Sequence, residues 1–213
     1  MKRVLSVFLS LIMALCGVSV VANAYNPANA VYYAQLFWDS KSPPYFNYYG
    51  DDADCTNFVS SCLWNGGFAT MNDTSGKSFG VNNESTEWYS VKYQRYDTFF
   101  GINYNYRDDW KTSTTWVRVY NTGNGKGLYQ FLADTKGLTV IRSTYLEDII
   151  NYADVGDVIQ CGINNENPGH SIIVGSKTMA DLGIYAHSNP QNDCSFTRVY
   201  YSYYDYFYIF KIQ

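Results

Sequence analysis

The chain has 213 residues, with 15 basic against 19 acidic side chains and a formal net charge of −4. This length suffices for one domain with its own core, and an acidic chain without a basic patch or arm is not expected to bind nucleic acid. Its 22 Tyr, 12 Phe and 5 Trp are an unusually large aromatic content. Such a content is typical of exported β-rich proteins and of grooves that bind sugars or peptides.

The N-terminal segment has the pattern of a secretory signal peptide. Lys2 and Arg3 are followed by an apolar run over residues 4–21 and by the small residues Ala-Asn-Ala at 22–24. We predict a signal peptide over residues 1–24 and a single domain over residues 25–213. No other segment approaches the roughly 18 apolar residues of a membrane span. The cleaved protein, with 13 basic and 19 acidic residues, is expected to be secreted or associated with the cell wall.

The first half of the domain is predicted to be mainly helical. Asn26 and Pro27 have the pattern of a cap followed by proline at the first helical position, so a helix is expected over residues 28–38. Residues 70–112 show no sustained period and are predicted to form a long loop region with short elements around Trp88 and Trp110. Further short helices are expected at 114–117, 127–132 and 145–150.

A second helix carries a cysteine at its N-terminus. Turn-forming residues precede Asp54 and Cys55, apolar residues then recur at helical spacing, and Gly66-Gly67 supplies a left-handed stop. A thiol in the first turn lies beside unpaired backbone N–H groups and the positive end of the helix dipole, and both favour the thiolate. The sequence therefore predicts Cys55 as a nucleophile.

The thiolate also needs a cationic neighbour. Lowering a thiol pKa by about 1.5 units requires roughly 2 kcal/mol, and a helix N-terminus supplies about half of that. The chain has two histidines, His170 and His187. They open and close two strands, at 169–175 and 182–188, that are predicted to form a hairpin. Because the strands are antiparallel, the two histidines should meet at one end of the sheet, one facing the thiol and the other orienting it.

Strand patterns dominate from residue 155 onward. Besides the histidine hairpin, strands are predicted at 158–161, 196–200 and 206–212. Helices first and antiparallel strands last indicate an α+β domain, with the nucleophile on a helix and its base on the sheet.

Four cysteines remain after cleavage of the signal peptide. Cys55 and Cys62 lie two helical turns apart, about 10 Å, too far to form a disulfide. Cys62 is interpreted as a small buried hydrophobic residue. Cys161 and Cys194 are the one pair that could bridge, and the sequence leaves that question open.

These motifs together resemble the bacterial putative amidase domain, a family grouped with the NlpC-type and CHAP cell-wall hydrolases among papain-like cysteine enzymes. The resemblance is carried by Asp-Cys-Thr-Asn-Phe-Val-Ser at 54–60, Gly-Asp-Val-Ile at 156–159, His-Ser at 170–171 and Tyr-Ala-His-Ser at 185–188. It covers nearly all of residues 25–213. It implies a papain-like fold, in which a helical half packs on an antiparallel sheet with a Cys–His–polar triad between them.

Transferred to this chain, the resemblance makes Cys55 the nucleophile and His170 the base. His187 matches the third position, and Asn189 is a rival for it. Asp54 is a candidate for the oxyanion site or for the helix cap.

Tyr48 and Tyr49 are weaker candidates for oxyanion donors. No cofactor is expected, and no ligand set for a metal is recognisable. The substrate implied is a peptide or a peptidoglycan-derived amide. Acyl transfer by the same Cys–His pair, and a non-catalytic Tyr-rich module that binds the cell wall, remain as alternatives.

Overall fold

The computed structural model describes residues 24–39, 54–164, 166–188 and 190–212. Most of the predicted signal peptide, together with Tyr48, Tyr49 and Asn189, lies outside these ranges. Helices lie in the N-terminal part and antiparallel sheets follow, so the predicted α+β class is confirmed. Within the described ranges, no helix has the length and apolarity needed to cross a membrane.

The two predicted N-terminal helices are present. Helix α1 spans Pro27–Phe37 and is capped by Asn26, whose side chain accepts the Asn29 N–H. Helix α2 spans Cys55–Asn65. It ends as predicted, because Gly67 has a positive φ of 76° and the Phe68 N–H bonds back to the Leu63 carbonyl at 3.0 Å.

The prediction of a long loop region over residues 70–112 is wrong. Strands β1 (Gly80–Asn82), β2 (Ser90–Phe99) and β3 (Ile102–Ser113) form a three-stranded sheet in the order β1-β3-β2. Much of the β2–β3 hairpin is solvent-exposed, and apolar–polar alternation is confined to short stretches such as residues 102–106, which are followed by three charged residues at 107–109. At its tip, Phe99 and Phe100 are 66% and 89% exposed.

Short helices follow at the predicted places. They are α3 (Thr114–Val117), α4 (Leu128–Gln130), which continues as a π-helical turn over Phe131–Thr135, and α5 (Leu146–Tyr152).

A six-stranded antiparallel sheet forms the C-terminal part, in the order β4-β9-β5-β6-β7-β8. The strand predicted at 196–200 is wrong: Thr197–Tyr201 is a π-helical turn. Phe196 and Tyr200 lie four positions apart and are both buried, a spacing that suits one face of a helical turn better than alternation along a strand. The strands are β4 (Val140–Ser143), β5 (Val158–Gly162), β6 (His170–Lys177), β7 (Leu182–Ala186), β8 (Gln191–Ser195) and β9 (Tyr206–Phe210).

Both faces of this sheet are covered. On one face, which we call the helix-side core, α1 and α2 pack against residues such as Ile173 and Tyr185. On the opposite face, the far-side core, α5 and the 197–201 turn pack against residues such as Ile172 and Ile184. Side chains alternate between these two cores along each central strand.

The turn that leads into β5 is fixed by Asp157, which is fully buried. Its carboxylate accepts the backbone N–H groups of Asp154 (2.8 Å) and Ile212 (3.0 Å) and also bonds to the Lys211 ammonium. Asp157 thus fixes this turn, and the same carboxylate also holds the segment after β9.

Candidate active site

Cys55 is the first residue of α2, and only 6% of its surface is exposed. The start of the helix is tied to the central strands by a chain of buried polar contacts. Thr56 Oγ1 lies 3.7 Å from the Cys55 sulfur and 3.2 Å from Ser171 Oγ. Gln160 Nε2 donates to the same Ser171 oxygen at 3.0 Å. The thiol is thus held at the start of β6, where His170 lies.

The electrostatics of Cys55 favour its thiolate. Burial alone would raise the pKa of the thiol, but the charge of His170, a side-chain hydrogen bond to His170 and the Ser171 backbone N–H together bring that pKa below its ordinary value. His170 is therefore close enough to Cys55 for its charge to favour the thiolate.

His170 lies in a group of parallel aromatic rings, which we call the aromatic stack and which comprises His170, Tyr200 and Tyr204. Its ring centroid lies 5.6 Å from that of Tyr200 and 6.1 Å from that of Tyr204, at interplanar angles of 13° and 6°. The Tyr200 hydroxyl is 3.4 Å from His170 Nε2. Tyr200 is not evident from the sequence, because it lies in a Tyr-rich run whose pattern predicts a strand.

His187 is placed differently from the expected orienting role. Its Nδ1 lies 2.8 Å from Asp54 Oδ2, its Nε2 lies 2.7 Å from the Phe37 carbonyl oxygen, and its ring stacks on Phe58 at 4.0 Å. Both ring nitrogens are therefore engaged away from His170.

The alternation of side chains explains this difference. The hairpin does bring the two histidines to the same end of the sheet, as predicted, because Ile173 pairs with Tyr185. In that register position 187 lies opposite position 171, one residue away from His170. Adjacent residues of a strand face opposite sides. His170 consequently faces the far-side core and His187 the helix-side core.

Asp54 occupies the N-cap position of α2, but its carboxylate forms no capping hydrogen bond to the helix backbone. It accepts instead from Asn57 Nδ2 at 2.7 Å and contacts His187, and Asn57 Oδ1 in turn accepts from Trp116 Nε1 at 2.9 Å. We call the connected residues Phe37, Asp54, Asn57, Trp116 and His187 the Asp54–His187 network.

The partners of His187 define its protonation. A backbone carbonyl only accepts hydrogen bonds, so Nε2 carries a proton to donate to Phe37. A second proton lies between Nδ1 and the Asp54 carboxylate. The two side chains share this hydrogen bond in a buried pair, with side-chain exposures of 4% and 6%.

The remaining cysteines of the described ranges are free thiols. Burial raises the pKa of Cys62 and Cys161 well above the ordinary range and that of Cys194 to about 11. Cys161 lies on β5 and Cys194 on β8, with two strands between them. At about 4.8 Å per strand the separation is about 14 Å, too far for a disulfide.

No group of three or more His, Cys, Asp or Glu side chains that could hold a metal ion occurs within the part of the chain described above. Tyr48, Tyr49 and Asn189, the remaining sequence candidates, lie outside that part.

Comparison with known proteins adds a family assignment. Residues 24–210 match the sequence profile of the putative amidase domain. The chain is also similar to the uncharacterized protein YhbB of Bacillus subtilis (strain 168), with 36% identity over 64 residues. That alignment covers 30% of this chain and 19% of YhbB. No solved structure matches the chain.

Proposed function

The chain belongs to the putative amidase domain family, and we propose from this premise that it is an exported cysteine amidase. The observation that supports the cysteine mechanism is the position of Cys55 at the start of α2 near His170, whose charge keeps the pKa of the thiol below its ordinary value although the sulfur is buried. Buried thiols without such a partner have the opposite shift, as Cys62 and Cys161 do. Cys55 is thus equipped as a nucleophile in a way that these two thiols are not.

The proposed reaction has two steps. The Cys55 thiolate attacks the carbonyl carbon of an amide, and the Cys55 backbone N–H at the helix N-terminus stabilises the oxyanion. His170, protonated in the resting pair, gives its proton to the leaving amine as the C–N bond breaks. Neutral His170 then takes a proton from water, whose oxygen displaces the sulfur. The products are a carboxylic acid, an amine and the regenerated thiolate–imidazolium pair.

We further propose that this architecture is related to that of the NlpC-type and CHAP papain-like hydrolases. The support is the order of its parts: a cysteine at the start of a helix, packed on an antiparallel sheet whose central strand begins with the histidine. The substrate that we propose is a peptide amide in or near the bacterial cell wall. The N-terminal signal pattern supports this location, as do the family resemblances of the motifs.

Two variants test the nucleophile. Wild-type protein, Cys55→Ala and Cys62→Ala are incubated with peptide-bearing peptidoglycan fragments, and released amines and acids are identified by mass spectrometry. We expect turnover by wild type and by Cys62→Ala, and none by Cys55→Ala. Iodoacetamide at neutral pH should label Cys55 first. Turnover by Cys55→Ala, or preferential labelling of Cys62, would show that the assignment is wrong.

Export is tested separately. The protein expressed with its own N-terminus should accumulate outside the cytoplasm with Tyr25 as its first residue. Retention of uncleaved chain in the cytoplasm would contradict the proposed export, but it would not affect the assignment of Cys55 as the nucleophile.

A further inference from the structure

The imidazole of a thiolate–imidazolium pair needs a partner for its second ring nitrogen, because that partner fixes the ring plane and stabilises its charge. His187 does not supply it here, since its own nitrogens bond to Asp54 and Phe37. The group that faces His170 Nε2 is the hydroxyl of Tyr200, 3.4 Å away. A distance at the long end of the hydrogen-bond range is common in unliganded active sites, which tighten when substrate binds.

Tyr200 is held rigidly at this place. Its side chain is 4% exposed, and the Phe196 ring lies parallel to it at 6.5 Å. The backbone N–H groups of Tyr203 and Tyr204 both bond to the Tyr200 carbonyl at 3.0 Å, which closes the turn after it. The aromatic stack therefore limits rotation of the imidazole on the side away from Cys55.

We propose that Tyr200 is the positioning residue of His170, the third member of the Cys55–His170 site in place of the histidine or asparagine expected from the sequence. This inference depends on the proposed cysteine mechanism. In the charged resting state His170 carries protons on both nitrogens. Nε2–H donates to the Tyr200 hydroxyl oxygen, which leaves the Nδ1 proton for the Cys55 sulfur.

The chemistry of Tyr200 suits this role. Burial raises the pKa of its hydroxyl, so the phenol stays neutral and does not compete with His170 as a base. As a neutral acceptor it stabilises the imidazolium more than the neutral imidazole, because hydrogen bonds to charged groups are the stronger ones. Removing the hydroxyl also frees the imidazolium to turn away from the sulfur, which weakens its stabilisation of the thiolate and raises the pH at which the thiolate forms.

The test is the pH dependence of Cys55 alkylation by iodoacetamide, which needs no substrate. Tyr200→Phe removes the hydroxyl and keeps the ring. In this variant the acid limb of the alkylation profile, where the rate rises as the thiolate forms, should move to higher pH by about half a unit to one unit. Alkylation at a pH on that limb should therefore slow about three- to tenfold. Tyr204→Phe is the matched control, because Tyr204 shares the stacking on His170 without that contact to Nε2; its acid limb should coincide with wild type. Thermal unfolding should show both variants folded.

Asn189→Ala tests the rival from the sequence. A shift of the acid limb in Asn189→Ala with none in Tyr200→Phe would overturn the assignment of Tyr200. If wild type shows an acid limb and Tyr200→Phe reproduces it, the proposed function stands and the role of Tyr200 is wrong. If wild-type Cys55 shows no acid limb below the range of an ordinary thiol, the thiolate–imidazolium pair itself fails, and this inference fails with it.

Discussion

The Asp54–His187 pair predicts a large loss of stability from a substitution that changes almost no volume. Asp54→Asn keeps the shape of the side chain, but the carboxylate of Asp54 receives hydrogen bonds on both oxygens, from Asn57 and from His187. An amide has only one oxygen, so its NH₂ group must face one of these two donors. The substitution therefore removes a hydrogen bond and leaves the buried ring of His187 without the carboxylate that it contacts.

The magnitude follows from the burial of the pair. Its side chains are 6% and 4% exposed, so solvent screens the interaction little. Removing one partner of a buried ion pair costs about 3–5 kcal/mol. Because Asp54→Asn retains one acceptor, we expect the low end, about 3 kcal/mol of unfolding free energy.

The assay is urea unfolding followed by tryptophan fluorescence, to which Trp116 of the network and the other four tryptophans contribute. His187→Gln and the double variant of Asp54→Asn with His187→Gln complete a double-mutant cycle. The double variant should lose less than the sum of the singles, with a coupling of about 1–3 kcal/mol. Asp134→Asn is the control: its ion pair with Lys126 is 53% exposed on the Asp side, and its loss should cost less than about 1 kcal/mol. Two results would refute a buried charged pair. One is that the stability losses of the two single variants add up in the double variant; the other is that Asp54→Asn loses no more stability than the Asp134→Asn control.

Three further outcomes follow from the same structure. At pH 7 iodoacetamide should label Cys55 and spare Cys194, because a thiol with a pKa of about 11 is only about one part in ten thousand ionised; equal labelling in a timed mass-spectrometric assay would contradict this. Asp157→Ala should cost about 3 kcal/mol or more in urea unfolding, because the Ile212 N–H and the Lys211 ammonium lose a buried acceptor; a cost below 1 kcal/mol would count against it. Phe100→Ser should leave the Tm within about 2 °C, because 89% of Phe100 is already exposed, and a larger fall in calorimetry would mean that the hairpin tip is packed in solution.

The nucleophilic helix could be predicted because its signals are local. Helical spacing of apolar residues and a glycine pair after Asn65 define α2, and the structure has both bounds where the pattern predicts them. The histidine hairpin is similarly local, since a short turn joins two apolar strands. Each of these elements follows from a few neighbouring residues and not from distant contacts.

The β2–β3 hairpin could not be predicted in this way. Its strands are stabilised by cross-strand pairs such as Lys92–Asp108 and Arg95–Asp109, which join residues 14 or more positions apart. The register that pairs them is set by the turn at Phe100 and Gly101, both with positive φ. Phe100 is not a residue that usually adopts this conformation, so the sequence carries a weak turn signal there.

The partner of each histidine depends on a single position of register. Both histidines were expected at one end of the sheet, and they lie there. Their roles differ because one faces the far-side core and the other the helix-side core. A pattern of apolar residues identifies the two faces, but it does not say which histidine lies beside the start of α2, because that helix is more than a hundred residues away in the chain.

The pH profile of Cys55 can separate these two roles of histidine. Replacing His187 by Gln breaks its contacts with Asp54 and Phe37, and neither contact involves Cys55 or His170. We therefore expect His187→Gln to lower the unfolding free energy and leave the acid limb of alkylation within about 0.3 pH units of wild type. Tyr200→Phe should instead move the acid limb and leave the unfolding free energy nearly unchanged. Its hydroxyl contacts His170 and does not belong to the Asp54–His187 network. If His187→Gln instead moved the acid limb as far as Tyr200→Phe, His187 would be acting on the nucleophile through Asp54, and the distinction between a supporting histidine and a reacting one would fail.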